Sequence, residues 1–376
     1  MAEPLYFRQP FRGLYILQRV LGTLALIPYW TIKYCRTSSR PRPTWTLGET
    51  VWVMVLRRMM RINEATGIML ECTDKTKEVD NGSLRETSFV WLPPVEDDLV
   101  QGIAKSKDVR PVKIPGYVWP QGTDLADSQG YVGYWIHGGA YRMGNGTEKF
   151  GAFGIPRFIK QHTRIKCGLS VDYRLSGEAC HPAQLLDALA GYRYLVQGCK
   201  VSPERIVIMA DCAGTHLTLM LLRYLKDESM LKAPGGIMLF SPWVDFAYEV
   251  VNGDSGHPNS SCDVLCTSGW YPQQVLPRGA DQLMLSWPYF SPNRAAGKTF
   301  AGYPRTFISL GGAETFIEEV HELAEKMERN GVDVKVDVQP DAIHDFLAFP
   351  GVFPSNRARE KLKRAIVEWV KSLPDV

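Results

Sequence analysis

The sequence predicts an α/β protein: a mostly parallel central sheet flanked by helices, with a helical N-terminal extension before it and one insertion within it. Three observations carry this. From about residue 130, strand-like apolar runs alternate with helix-period runs, the pattern of a parallel sheet covered on both faces. The stretch 206–217, IVIMADCAGTHL, passes from an unbroken apolar run through a small-residue turn into a second apolar run, so a buried strand hands over to a helix. The chain has 376 residues, 45% hydrophobic and 22% charged, which is ordinary globular composition and enough for a large core plus a cap.

The elements follow in order. Arg8, Arg12 and Arg19 precede an apolar run at 20–32, VLGTLALIPYWTI. Its uncharged stretch of about 13 residues is short of the roughly 20 that span a bilayer. Three readings stand open. The working one is a helix packed over the functional site. The second is an interfacial helix giving peripheral membrane contact through residues 14–34, where Tyr29 and Trp30 sit beside basic residues. The third is a removed signal, although no small-x-small cleavage site follows. SRPRPTW (39–45) is a proline-rich break. Residues 46–64 have helical period, and WVMVLRRMMR carries an apolar and a basic face, expected to be a solvated amphipathic helix. ETSFVWLPP and PVKIPGYVWP are short strands bounded by prolines. Strands are then expected at YVGYWIHGG, IKCGLSVDYRL, the 206–211 run, GGIMLFSPW, RTFISLGG and VDVKVDVQP. Helices are expected between them and at the C-terminal RAREKLKRAIVEWVKSL. About 245–297 breaks the alternation, is rich in Gly, Pro, Ser and Asn, and is expected to be a cap insertion over the site. The organisation expected is therefore an extension at 1–84 and a core at 85–376 containing that insertion.

Several function classes are excluded. A net charge of +3, spread along the chain, offers no nucleic-acid stripe. The eight cysteines contain no C-x-x-C pair and irregular spacings, so a disulfide framework is not expected and a reducing, cytoplasmic compartment fits. Cys262 and Cys266 are four apart without accompanying histidines, so no metal site is expected. No G-x-G-x-x-G follows a strand and no P-loop occurs, so no cofactor is expected.

One constellation points to chemistry. Strand, tight turn and helix with a reactive residue at the tip describe a nucleophile elbow, and the tip here is Cys212. Glu314 follows the strand FISLGG, and His344 follows the strand VKVDVQP. Nucleophile, acid and histidine thus stand at strand ends in the chain order of the α/β-hydrolases. The sequence resembles the hormone-sensitive-lipase-type branch of that fold. IHGGAYRMG (136–144), VDYRLSGEACHPAQLLD (171–187), DCAG (211–214), SPWVD (241–245), LGGAETFIEE (310–319) and IHDF (343–346) carry the resemblance over roughly residues 130–350. More loosely, the long N-terminal segment is similar to cap extensions of fungal members, many of which serve secondary metabolism.

The resemblance implies an α/β-hydrolase fold and the following roles. His344 takes the proton of Cys212, and Glu314 holds its tautomer. Glu318 and Asp345 are rival acids, and Asp345 adjoins the base too closely to reach the ring's far nitrogen. The N–H groups of Gly138, Gly139 and Ala213 form an oxyanion hole, each donor worth ~3 kcal/mol in the transition state. His137 braces that loop. Tyr141 and Trp243 line the substrate pocket. His216, one turn after Cys212, is a further pocket residue that could approach the thiol, with buried packing as its other reading. Asp172, Arg174, Glu178 and Asp211 are internal braces. Family members often pair, which makes a homodimer an expectation.

Two departures matter. Ala210 replaces the first Gly of G-x-S-x-G, and Cys212 replaces Ser; Ala140 likewise stands for the third Gly of the oxyanion loop. Retention of base, acid and oxyanion loop points to a working thiol, acting on an activated ester, thioester or lactone, polyketide-like ones included, with a largely apolar or aromatic acyl group. Two alternatives stay open: a cyclase or other non-hydrolytic enzyme that uses His344 as general base without a covalent intermediate, and a non-catalytic ligand-binding relative.

Overall fold

In the computed structural model, residues 5–247, 257–265, 270–348 and 356–376 are described. The expected insertion at 245–297 is therefore described in part, and Cys266 lies outside the described residues. The extension forms two long helices, α1 (Phe11–Lys33) and α2 (Leu47–Thr66). A capping box starts α2: Thr46 Oγ1 accepts from Glu49 N–H, and the Glu49 carboxylate accepts from Thr46 N–H. Gly67, at φ +59°, ends it in a left-handed turn.

The sheet strands are β1 (Ser88–Leu92), β2 (Ile114–Trp119), β3 (Val132–Ile136), β4 (Cys167–Val171), β5 (Ile206–Asp211), β6 (Gly236–Phe240), β7 (Arg305–Gly311) and β8 (Val334–Gln339). Between and after them lie α3 (Gly154–His162), α4 (Ala183–Arg193), α5 (Cys212–Glu228), the short α6 (Trp270–Val275), α7 (Ile317–Arg329) and α8 (Asn356–Lys371). The eight strands form one sheet in the order β1-β2-β4-β3-β5-β6-β7-β8. The pairs β1–β2 and β2–β4 are antiparallel, and all later pairs are parallel.

The apolar runs are continuous because both faces are covered. On β5, Ile206, Ile208 and Ala210 enter one core cluster with Leu217 of α5 and Leu323 of α7. Val207 and Met209 point the other way, into a cluster with Ile159 of α3 and Ile366 of α8. Trp45 and Val53 of the extension join this second cluster beside Ile343 and Phe346, so the extension packs against the loop that carries His344. The basic face of α2 is not wholly solvated as the pattern suggested. Arg57 is buried and donates to the backbone carbonyls of Asp263 and Ser260.

Candidate active site

Three strand ends meet at one point. Cys212 opens α5 straight after β5 and holds φ at +45°, a strained conformation for a side-chain-bearing residue. This projects the thiol from the sharp turn. The turn is tight because α5 presses on β3: a Cβ on Gly214 would lie 2.1 Å from the Ile136 carbonyl oxygen. Ala210 is fully buried, and its methyl is accommodated within the core cluster.

Cys212 Sγ, a ring nitrogen of His344 and a carboxylate oxygen of Asp345 lie within 4.8 Å of one another. His344 Nδ1 is 3.0 Å from Glu314 Oε2. The other carboxylate oxygen, Oε1, accepts from Ser241 Oγ–H at 2.8 Å and from the Gly311 N–H. Glu318, the rival acid, is exposed on α7. Asp345 approaches from the opposite side, with Oδ2 3.4 Å from His344 Nε2. It therefore faces the nitrogen turned toward the thiol rather than the one held by Glu314.

The electrostatics are those of a crowded anionic nest around one imidazole. Burial opposes the charged form of His344. The Cys212 and Asp345 negative charges and bonding to Cys212 and Glu314 overcome it and push the pKa well above the usual histidine value. Burial, together with Asp211, Cys212 and Glu314 as like-charged neighbours, pushes Asp345 well up, and His344 opposes this. Burial raises Asp211 to about 6, against the bond it accepts from Gly138.

The oxyanion loop differs from expectation at one donor. Gly138 N–H donates to Asp211 Oδ1 at 2.7 Å, so it is turned to the internal carboxylate and not to a substrate oxygen. Gly139 and Ala213 remain as the candidate donors. Both glycines are sterically required: a Cβ on Gly138 would meet Asp211 Oδ2 at 2.5 Å, and one on Gly139, at φ +103°, would meet the Met143 carbonyl oxygen at 2.1 Å. His137 stacks on Tyr173 with centroids 4.3 Å apart, and burial lowers its pKa to about 3, so it braces the loop as a neutral ring.

The pocket candidates separate. His216 is fully buried, with Nδ1 2.8 Å from Tyr141 Oη and Nε2 3.1 Å from the Phe290 carbonyl oxygen. Both nitrogens are engaged and burial lowers the pKa to about 3, which corrects its assignment as a pocket residue: it is an internal brace. Tyr141 is buried with its hydroxyl committed to that brace. Trp243 is buried against Phe246 and Phe316. The buried Lys75 pairs with the buried Asp172 and with the exposed Glu178, and the half-buried Arg174 pairs with the buried Asp187.

Residues invisible to the pattern complete the site. Asp263, fully buried in the insertion, accepts from the backbone N–H groups of His344 and Thr315 and from Thr315 Oγ1–H, tying the two loops that carry the base and the acid. Ser241, at φ +46°, accepts from Asp345 N–H at 2.9 Å while donating to Glu314. From the extension, Arg42 donates to Asn259 Oδ1 and the Gly312 carbonyl, and Trp45 Nε1–H to the Asp341 carbonyl.

Comparison with known proteins places this geometry. A family described as alpha/beta hydrolase fold matches residues 134–348. The chain is 26% identical over 231 residues to an acetyl-hydrolase of Streptomyces hygroscopicus, covering 59% of this chain and 70% of that one. It is 26% identical over 287 residues to an esterase of Acinetobacter venetianus, covering 75% and 88%. A solved hormone-sensitive lipase from a metagenome library superposes with a TM-score of 0.56 at 25% identity, over 69% of this chain and 82% of that one.

Proposed function

The chain belongs to the α/β-hydrolase family, and from that premise we propose that it is an ester-type hydrolase or acyl-transfer enzyme that works through a thio-acyl intermediate on Cys212. The observation that carries the reading is the thiol on a positive-φ elbow with His344 beside it and Glu314 3.0 Å behind the ring. Hydrolase names among the relatives support the acyl chemistry. The cysteine narrows it.

The proposed sequence begins when the Sγ proton passes to His344 and the sulfur attacks the substrate carbonyl carbon. Negative charge develops on the carbonyl oxygen, toward which the N–H groups of Gly139 and Ala213 are the donors available. Glu314 stabilises the imidazolium through Nδ1–H. The bond to the leaving group breaks, and His344 returns its proton to that group. An acceptor, water or another nucleophile, then gives a proton to His344 and attacks the thioester; the C–S bond breaks and sulfur regains the proton.

A thiolate is a much better leaving group than an alkoxide. A tetrahedral adduct with a plain alkyl ester therefore tends to expel sulfur and revert. A thioester or strained lactone has a leaving group that competes, so the proposed substrates are activated acyl compounds with an apolar or aromatic acyl chain, polyketide-like thioesters among them. Rates on matched oxygen esters and thioesters test this, with Cys212→Ala and His344→Ala alongside. The expected result is a clear preference for the thioester and loss of turnover in both variants. Equal or faster cleavage of plain alkyl esters overturns the substrate class. Turnover surviving Cys212→Ala but not His344→Ala selects base-only chemistry at His344.

A further inference from the structure

The two faces of α1 differ in what they meet. Thr23 and Trp30 are buried on the side toward α2, where Arg58 Nε–H donates to Thr23 Oγ1 at 2.9 Å. The opposite side carries Leu14, Leu17, Leu21, Leu24 and Ile32 at helical spacing, between 56% and 74% exposed. A 23-residue helix is about 35 Å long, so this is an apolar stripe far beyond the scattered surface leucines of a soluble protein. No described helix is long and apolar enough to cross a membrane.

Charge decides among occupants. Between Pro4 and Gly48 the chain has seven Lys and Arg residues and no acidic one. Arg19 of α1 and Arg58 and Arg61 of α2, with Glu64 as the single acid, line one open cavity of about 510 Å³, and Arg19 and Arg61 depress the Arg58 pKa after burial does. A second copy meeting stripe to stripe would bring two such cationic segments together. An anionic lipid surface accepts both the leucines and the positive field.

We infer that α1 lies in the plane of an anionic phospholipid surface, its leucine stripe at the acyl boundary, so that the enzyme works beside a lipid phase. Flotation of the purified full-length chain with vesicles of equimolar phosphatidylcholine and phosphatidylglycerol tests this. The wild type floats, less so as salt rises and less with phosphatidylcholine alone. The double variant Leu17→Glu/Leu21→Glu partitions at least about tenfold more weakly, while Leu283→Glu, an exposed leucine elsewhere, floats as the wild type does. Failure to float at low salt, or flotation indifferent to the double variant, overturns the inference. A wild-type dimer that does not float and that the double variant dissociates, read by light scattering, assigns the stripe to a second copy instead and also overturns it. Flotation needs no turnover, so its outcome is separate from that of the acyl chemistry; circular dichroism checks that the double variant is folded.

Discussion

Replacing Glu314 by Gln tests how the base is held. The hydrogen-bond partners of this carboxylate are all donors: His344 at Nδ1, Ser241 through Oγ–H, and the Gly311 N–H. Gln keeps the size but turns one oxygen into an NH2 group. If the NH2 faces His344, Nδ1 must accept, and the ring proton moves to Nε2, leaving no base for the thiol. If it faces Gly311, two N–H groups point at each other. Either way the negative charge behind the imidazolium is gone. At an effective dielectric of about 20, a unit pair at the observed 3.0 Å is worth roughly 5 kcal/mol. The equivalent Asp-to-Asn swap in a Ser-His-Asp triad costs about 10⁴. The expected loss in kcat/KM is therefore about 10³–10⁴, or roughly 4–5.5 kcal/mol. The assay is steady-state thioester turnover across pH. The proton that His344 takes from Cys212 makes an imidazolium paired with the thiolate; the raised His344 pKa favours that pair, which is lost as pH rises through the raised value. Losing the Glu314 charge lowers it, so the alkaline limb moves to lower pH. A loss below about tenfold with an unmoved limb would refute the role given to Glu314.

Other consequences are smaller or different in kind. Ser241→Ala removes one donor to Glu314 and the acceptor of Asp345 N–H, and is expected to lower kcat about tenfold with KM little changed. Asp211, raised to about 6 against an ordinary value of 3.8, penalises the folded state as it ionises, so its contribution to stability is lost as pH rises from about 4 to about 6. Asp211→Asn, which keeps an acceptor for Gly138, should then be more stable than wild type at neutral pH by up to roughly 3 kcal/mol, with the difference shrinking below pH ~4 in paired denaturant titrations. The ligand atoms of Cys212, His344 and Asp345, all within 4.8 Å, suit a soft cation. Added Zn²⁺ should inhibit turnover reversibly, with EDTA restoring it and Mg²⁺ inert; Zn²⁺ binding to Cys212→Ala as tight as to the wild type, read by calorimetry, would place the zinc elsewhere.

Much of this architecture was legible because it is local. The unbroken IVIMAD run and the small residues after it specify a buried strand and a tight elbow without reference to the rest of the chain. Glu314 and His344 stand just past β7 and β8, so finding the strands found the residues. What stayed hidden depends on contacts distant in sequence. Asp263 reaches His344 across 81 residues from a stretch whose composition says only loop. Arg57 sits in a run that reads as a basic helix face, and only the folded insertion shows the carbonyls that bury it. The bond from Gly138 to Asp211 spans 73 residues, so the loop motif gave the glycines but not the direction of their N–H groups. His216 reads as a neighbour of the thiol by helical spacing, yet Tyr141 and Phe290 hold both its nitrogens.

A covalent acyl group on Cys212 is read without intermediary by intact mass. The protein would be incubated with a panel of acyl thioesters and quenched in acid, beside Cys212→Ala. A thio-acyl enzyme gains the mass of the acyl group in the wild type and gains none in the variant. Turnover with no adduct on the wild type at any quench time, and undiminished turnover by Cys212→Ala, would contradict it.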